Sequence, residues 1–301
     1  MVTCILIGVN SSMAQTDQDA IMMSKNNFCT GVMYSHSSWN YYWEGTFKRN
    51  NQNLGTVSSN TESVMGNYGI NRRLNIIIGL PYIETKASAG TLHGMKGFQD
   101  ISAWVKWMPI EKELKKGVIS FYLLGGASIP ISNYVADFLP LSIGLHSKTL
   151  SGRILLDYQL GSFFATGSAT YTYRSNITID RTAYYTSSLI LSNEVVMPDV
   201  TNFAFRTGYR SSYLIAEAVV SNMTTLKGFD IRKNDMPFPG NQMDATTAGA
   251  NFKYTLKKVS GLSITGGANY TITGRNVGQA TNLNIGVFYI IDFTSGKKNE
   301  K

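Results

Sequence analysis

Charge is scarce in this sequence. Only 15% of its 301 residues are Asp, Glu, Lys or Arg, against roughly 25% in a soluble globular domain. So little charge fits poorly with a large soluble β-sandwich, whose surface would need more. Long apolar runs are missing too. Val118–Ile129 is the longest, and Ser120 and Gly125-Gly126 interrupt it. No stretch approaches the roughly 18 apolar residues that a helical membrane span requires. Cysteine is nearly absent. Cys4 falls in a segment that reads as an export signal, which leaves Cys29 as a small packing residue and argues against a disulfide or a metal–thiolate cluster. His36, His93 and His146 are scattered and have no metal-ligand spacing. No metal or cofactor is expected. Nucleic acid is not an expected partner either, because no basic cluster interleaved with aromatics accompanies the formal net charge of +8. That charge reads as a basic surface excess or as attraction to anionic lipid head groups or substrates.

What the chain does have is alternation. In Thr246–Lys257 the even positions Ala248, Ala250, Phe252, Tyr254 and Leu256 are apolar, whereas Thr247, Gly249, Asn251, Lys253 and Thr255 are small or polar. The rule restarts after Gly261 with Leu262, Ile264, Ala268, Tyr270 and Ile272 against Ser263, Thr265, Gly267, Asn269 and Thr271. It runs again with Leu283, Ile285, Val287, Tyr289, Ile291 and Phe293 against Asn284, Gly286 and Asp292. A period of two means strands with one greasy and one polar face. Repeated spans of about ten residues with turn signals between them are the mark of a transmembrane β-barrel.

Along the chain, residues 1–14 read as a secretory signal with cleavage before Gln15. The missing basic n-region is consistent with a true start upstream of Met1. Residues 15–27 are a periplasmic lead-in or a small plug at the barrel mouth, and their shortness favours the lead-in. Residues 28–293 hold about twelve strands, and a polar tail, residues 294–301, follows. The first strand is expected over Phe28–Trp43, with a phase slip at Ser35–Ser38 that suggests a β-bulge. A gap between strands there would offer a lateral exit. Tyr34 and the aromatics of Trp39–Trp43 read as an interfacial girdle. Pro109–Gly117 reads as a charged turn. Connections alternate short and long after the second strand. The expected fold is therefore an all-β, transmembrane, antiparallel up-and-down barrel of about twelve strands, of the Gram-negative outer-membrane type, with both termini inside.

Charges test the reading, because strand phase was set from apolar residues alone. From the third strand on, Arg73, Asp100, Lys106, Arg153, Asp157, Arg174, Arg206, Glu217, Lys253 and Asp292 all fall on the polar parity. A basic residue facing lipid at mid-depth costs roughly 2–4 kcal/mol, so these ten residues are assigned to the lumen and the solute path. Arg153 with Asp157, and Lys106 with Asp100, share a face of one strand. Each pair is expected either to bridge across the interior or to form a charged constriction.

Three short segments carry a family resemblance. Tyr68-Gly69-Ile70 through Gly79-Leu80-Pro81-Tyr82, Gly97-Phe98-Gln99-Asp100-Ile101, and Ala127-Ser128-Ile129-Pro130-Ile131-Ser132-Asn133-Tyr134 resemble elements of the "MetA-pathway of phenol degradation" family of outer-membrane transporters. Gln99 stands in place of that family's second glycine, and Ser132-Asn133 in place of Gly-Asp. The family is similar in outline to FadL-type transporters. The resemblance implies passive uptake of small solutes, hydrophobic or aromatic ones among them. With the barrel reading, outer-membrane lipids, a small-molecule solute and the barrel-assembly machinery are the expected partners, and the cell outer membrane the expected location. A structural or adhesive barrel without transport is the alternative. An outer-membrane lipid hydrolase is a third reading. It would need a serine and a histidine on one lipid-facing rim, oriented by a third polar group. Adjacent His146 and Ser147 point to opposite faces, His93 is in a loop, and His36 lies at the suspected bulge with Ser35, Ser37 and Ser38 nearby. No catalytic residue is assigned.

Overall fold

The computed structural model describes residues 16–233 and 235–294. The expected signal segment, the cleavage before Gln15 and the tail beyond Thr294 lie outside the described residues.

Twelve long strands form the wall, each of 11–15 residues. In chain order they are β1 (Asn27–Trp39), β2 (Val57–Asn71), β3 (Leu74–Ala87), β4 (Asp100–Leu114), β5 (Gly117–Pro130) and β6 (Thr149–Leu160). The second half comprises β7 (Phe163–Arg174), β8 (Val200–Arg210), β9 (Leu214–Thr225), β10 (Asp244–Thr255), β11 (Leu262–Arg275) and β12 (Thr281–Asp292). Each pairs antiparallel with its neighbours in sequence, and β1 pairs with β12 from Asn27↔Asp292 to Ser38↔Thr281, so the sheet closes on itself. Closure leaves no edge strand, which is why a β-sheet can stand in lipid at all.

The alternation sorts the side chains as the sequence implies. Val32, Val64, Ile78, Val105, Ile154 and Phe205 point outward and are exposed, where hydrocarbon would cover them. Aromatics bound this belt. Tyr34, Tyr171, Tyr173 and Tyr270 lie toward the long-loop end, and Tyr68, Trp107, Phe163, Tyr209, Tyr254 and Tyr289 toward the short-turn end. Lumen-facing positions are smaller, polar or charged. The chain ends of the barrel sit with the short turns, as at Gly161-Ser162 between β6 and β7. In an outer-membrane barrel that side is periplasmic.

Two local expectations are corrected. First, β1 ends at Trp39, and its ladder runs without a bulge from Asn27 to Ser38 against β12 and from Phe28 to Trp39 against β2. No gap opens at Ser35–Ser38. The apparent phase slip arises because Tyr41–Glu44 belongs to a separate hairpin with Phe47–Asn50. That hairpin lies over the outer mouth, where Trp43 is buried and its backbone N–H donates to Val277 O. Trp43 is thus a loop-packing residue and not part of a lipid-facing girdle. Second, Pro109 does not end β4. The register with β5 shifts between Trp107 and Ile110, and the strand continues to Leu114. A bulge is one of the few places a strand tolerates proline. The extra residue also reverses the phase, so that Ile110 and Leu114 become the outward apolar positions.

Candidate functional site: the lumen and its N-terminal segment

The lumen is not empty. Residues Thr16 to Asn26 pass inside the barrel before the chain enters β1. Lys106, fully buried on β4, donates from Nζ to Thr16 O (3.0 Å), Asp19 O (2.6 Å), Ile21 O (2.8 Å) and Asp19 Oδ1 (3.0 Å). Arg153 on β6 donates from Nη1 to Asp17 O (2.7 Å) and Asp17 Oδ2 (2.8 Å) while its guanidinium lies 4.8 Å from the centre of the Trp104 ring. Arg206 on β8 reaches Gln18 Oε1 at 2.7 Å, and Tyr122 on β5 donates to Ala20 O at 2.8 Å. Apolar packing completes the hold. Ala20 sits among Met108, Tyr122, Leu124 and Leu155, and Met23 among Cys29, Phe288 and Ile290. A buried ammonium without partners would be costly. Here the wall supplies the cations and the N-terminal segment supplies backbone carbonyls and two carboxylates.

The ten residues assigned to the lumen divide by depth. Lys106, Arg153, Asp157, Arg206, Glu217 and Lys253 lie inside the barrel wall, buried or half-buried. Arg206 pairs with Glu217 at 2.6 Å. Asp157 pairs with Arg210 at 3.0 Å and accepts from Thr166. Asp100 and Arg174 are at the outer rim, where Asp100 accepts from Tyr134 at 2.6 Å and the Arg174 N–H donates to Asp199 Oδ1 at 3.1 Å. Arg73 is exposed in the β2–β3 turn, and Asp292 closes β12 at the same end, accepting from the Thr294 N–H.

Neither expected same-strand pair forms. Arg153 and Asp157 are four apart on their strand and Asp100 and Lys106 six apart, separations of roughly 13 and 20 Å, too far for an ion pair. Arg153 turns to Asp17 and Lys106 to Asp19, while Asp157 and Asp100 find Arg210 and Tyr134. Asp17, Asp19, Gln18, Trp104 and Arg210 are thus site residues that the sequence reading did not single out. One signal was available: the polar parity of the inner strands carries more cations than anions, and Asp17 and Asp19 are the nearest unassigned acids.

Two cavities flank the N-terminal segment. One of about 640 Å³ is bordered by Thr16, Asp17, Gln18 and Asp19 and by the inward faces of β8 to β12 and β1. The other, of about 1000 Å³, lies toward the short turns and is bordered by Ala20, Met22, Met23, Lys25, Arg72 and Ser212. Ile21 and Arg210 border both. The segment borders both.

The long loops pack over the outer mouth. Leu141 is fully buried with Leu54 and Val57, and Leu141 O accepts from Thr85 Oγ1 at 2.6 Å. Ile177, Ile179, Val195 and Met197 pack with Ala136. Tyr134 is buried, and its hydroxyl also accepts from the His146 N–H at 3.0 Å. Burial, and then the hydrogen bond that it donates to Asp100, raise its phenol above the ordinary range. Asp230, in the β9–β10 connection, is held below the usual carboxylate range chiefly by hydrogen bonds from Arg275, at 2.8 and 2.6 Å. The histidines weighed for a hydrolase are dispersed. His36 Nδ1 lies 2.7 Å from Asn60 Oδ1 on β2, and His146 packs edge-on against the Tyr134 ring.

No protein-family model matches the chain, and no curated protein matches it in sequence. Among solved structures it resembles the COG4313 outer membrane channel from Pseudomonas putida F1, with a TM-score of 0.74 at 12% identity over 92% of this chain and 100% of that one. Looser likenesses are the translocator domain of the autotransporter NalP from Neisseria meningitidis (TM-score 0.46, 11% identity, 89% of each chain) and a Pseudomonas aeruginosa FadL homologue (0.39, 12% identity, 89% of this chain and 90% of that one). At such identities the first likeness speaks to the fold alone, and the two below 0.5 add nothing to it. The chain has the fold of a Gram-negative outer-membrane β-barrel.

Proposed function

We propose that this barrel is a passive uptake channel for small solutes, in which the N-terminal segment is a plug across the lumen. The observation that carries the reading is the pair of cavities on either side of Thr16–Met23. A barrel serving only as a structural wall or an adhesive platform has no need for a hollow lumen divided by a short, separately anchored strip of chain. Solute would enter between the outer loops, occupy the cavity above the plug and leave toward the periplasm when the plug shifts. No step needs an energy source beyond the concentration gradient.

The hydrophobic or aromatic cargo implied by the family resemblance would meet Met33, Met65 and Phe288, which form an apolar patch beside the plug. The ladder of β1 is continuous on both sides, so the path considered is axial. Liposome swelling with the refolded protein tests the reading. Removal of residues 16–24 should increase small-solute flux several-fold over the full chain. Equal, negligible flux from both forms would refute an uptake role and favour the structural or adhesive alternative.

A further inference from the structure

The cavity above the plug has one wall of unusual chemistry. Across β10, β11 and β12 the lumen-facing positions read Gly249 and Asn251, then Gly267 and Asn269, then Asn282 and Asn284. Register places glycine against asparagine. Asn251 lies opposite Gly267, Gly249 opposite Asn269, and Gly267 also opposite Asn284. The spacing is used: a Cβ on Gly267 would strike Asn251 Oδ1, and one on Gly249 would strike Asn269 Oδ1. The Asn251 and Asn269 amides therefore lie across to the neighbouring strand, into the gaps that Gly267 and Gly249 leave. The result is a sheet of planar amides facing the cavity.

We propose that this amide wall binds a small neutral polyhydroxylated solute, of the size and hydrogen-bonding character of a monosaccharide. The inference rests on the uptake reading above and names its substrate class. A side-chain amide offers two donors and an acceptor with two lone pairs, which matches hydroxyls, since these also both donate and accept. Asn269 and Asn284 make no hydrogen bond to other described side chains, and both border the cavity. An apolar solute lying on this wall would strip water from those amides and return nothing, a net loss for each. An ionic solute is less well matched, because Arg206 and Arg153, which border the cavity, are already paired with Glu217 and Asp17. Asn251 is tied into the first of these pairs, its Nδ2 donating to Glu217 Oε1 at 3.2 Å, which leaves its oxygen for a ligand. Next to the wall, Phe288 on β12 itself and Met33 and Met65 on the adjoining β1 and β2 border the same cavity and suit the C–H face of a sugar ring. Polar edges and one apolar face are what a pyranose presents.

The test is single-channel recording in planar bilayers with the full chain, with glucose added to the outer-loop side. Sugar at a binding site interrupts the ion current in a saturable way, whereas sugar merely passing through a wide pore does not. Glucose is expected to produce saturable block, and Asn269→Leu with Asn284→Leu is expected to raise the half-blocking concentration at least tenfold, the effect of losing about 1.4 kcal/mol of hydrogen bonding. Because the leucines preserve bulk, Gly267→Ala provides a second variant that leaves every amide in place but displaces Asn251, and it should weaken block as well. Ion current without saturable glucose block, or block by an aromatic carboxylate or a dipeptide but not by glucose, would overturn the assignment while leaving the channel reading intact. The absence of any current, even with residues 16–24 removed, would overturn both.

Discussion

Lys106 on β4 and Asp19 in the N-terminal segment form an ion pair of 3.0 Å deep in the lumen, with the ammonium wholly removed from solvent. The pair joins the wall to the N-terminal segment across 87 residues of sequence.

Lys106→Met should therefore loosen the plug while keeping the side-chain length. Breaking a buried pair by removing one partner costs about 3–5 kcal/mol, so reduced stability to denaturant is expected together with faster solute flux in liposome swelling. Asp19→Asn should have a smaller effect, because Lys106 keeps the carbonyls of Thr16, Asp19 and Ile21. Unchanged flux in Lys106→Met would mean that the plug is held elsewhere.

Alkali should open the outer cap. The Tyr134 phenol is raised above its ordinary value by burial and by its bond to Asp100. A group whose folded-state value is raised contributes stability that is complete below the unfolded value, about 10 for tyrosine, and that is lost as pH climbs toward the folded one. Hydrogen exchange in the β5–β6 loop should accelerate above about pH 10 in the native protein. In Tyr134→Phe it should be fast at neutral pH and lack that alkaline step.

Acid should act on the β9–β10 connection by the opposite sign. Hydrogen bonds from Arg275 depress the Asp230 carboxylate, so its contribution is present above the unfolded value of about 3.9 and is lost as pH falls through the lower folded value. Amide protection around Ile231, whose N–H donates to Asn276 Oδ1 at 3.1 Å, should drop in that acid window. Asp230→Asn should show low protection at neutral pH and no acid transition.

The lipid face should reject charge where the lumen accepts it. Ile154, exposed on the outward face of β6, should cost roughly 2–4 kcal/mol as Ile154→Arg, measured by unfolding from vesicles. Ser168→Arg, at a cavity-lining position of β7, should cost far less. Similar penalties at both sites would contradict the assignment of faces.

The period-two pattern was sufficient to determine the wall. Whether Val287 meets lipid and Asn284 the lumen follows from parity within one strand, because each side chain answers to its own side of the sheet. Twelve spans, their turns and the polar parity of Lys106, Arg153, Arg206 and Lys253 are all legible that way. Local pattern failed where the chain leaves that rule, at the bulge that admits Pro109 and at the hairpin after Trp39 that imitates a phase slip.

Partnership was decided only by the tertiary structure. Arg153 meets Asp17 from 136 residues away, and Asn251 meets Gly267 only through the register of β10 on β11. Parity says which face a residue occupies but not how far each strand is staggered against the next, nor which segment threads the space that closure creates. Closing the barrel gathered a surplus of cations into a narrow interior of low dielectric, where each must find an acceptor. The acidic N-terminal strip, which by sequence reads as a short lead-in or a small plug, supplied acceptors for Lys106 and Arg153 and so lies within the lumen.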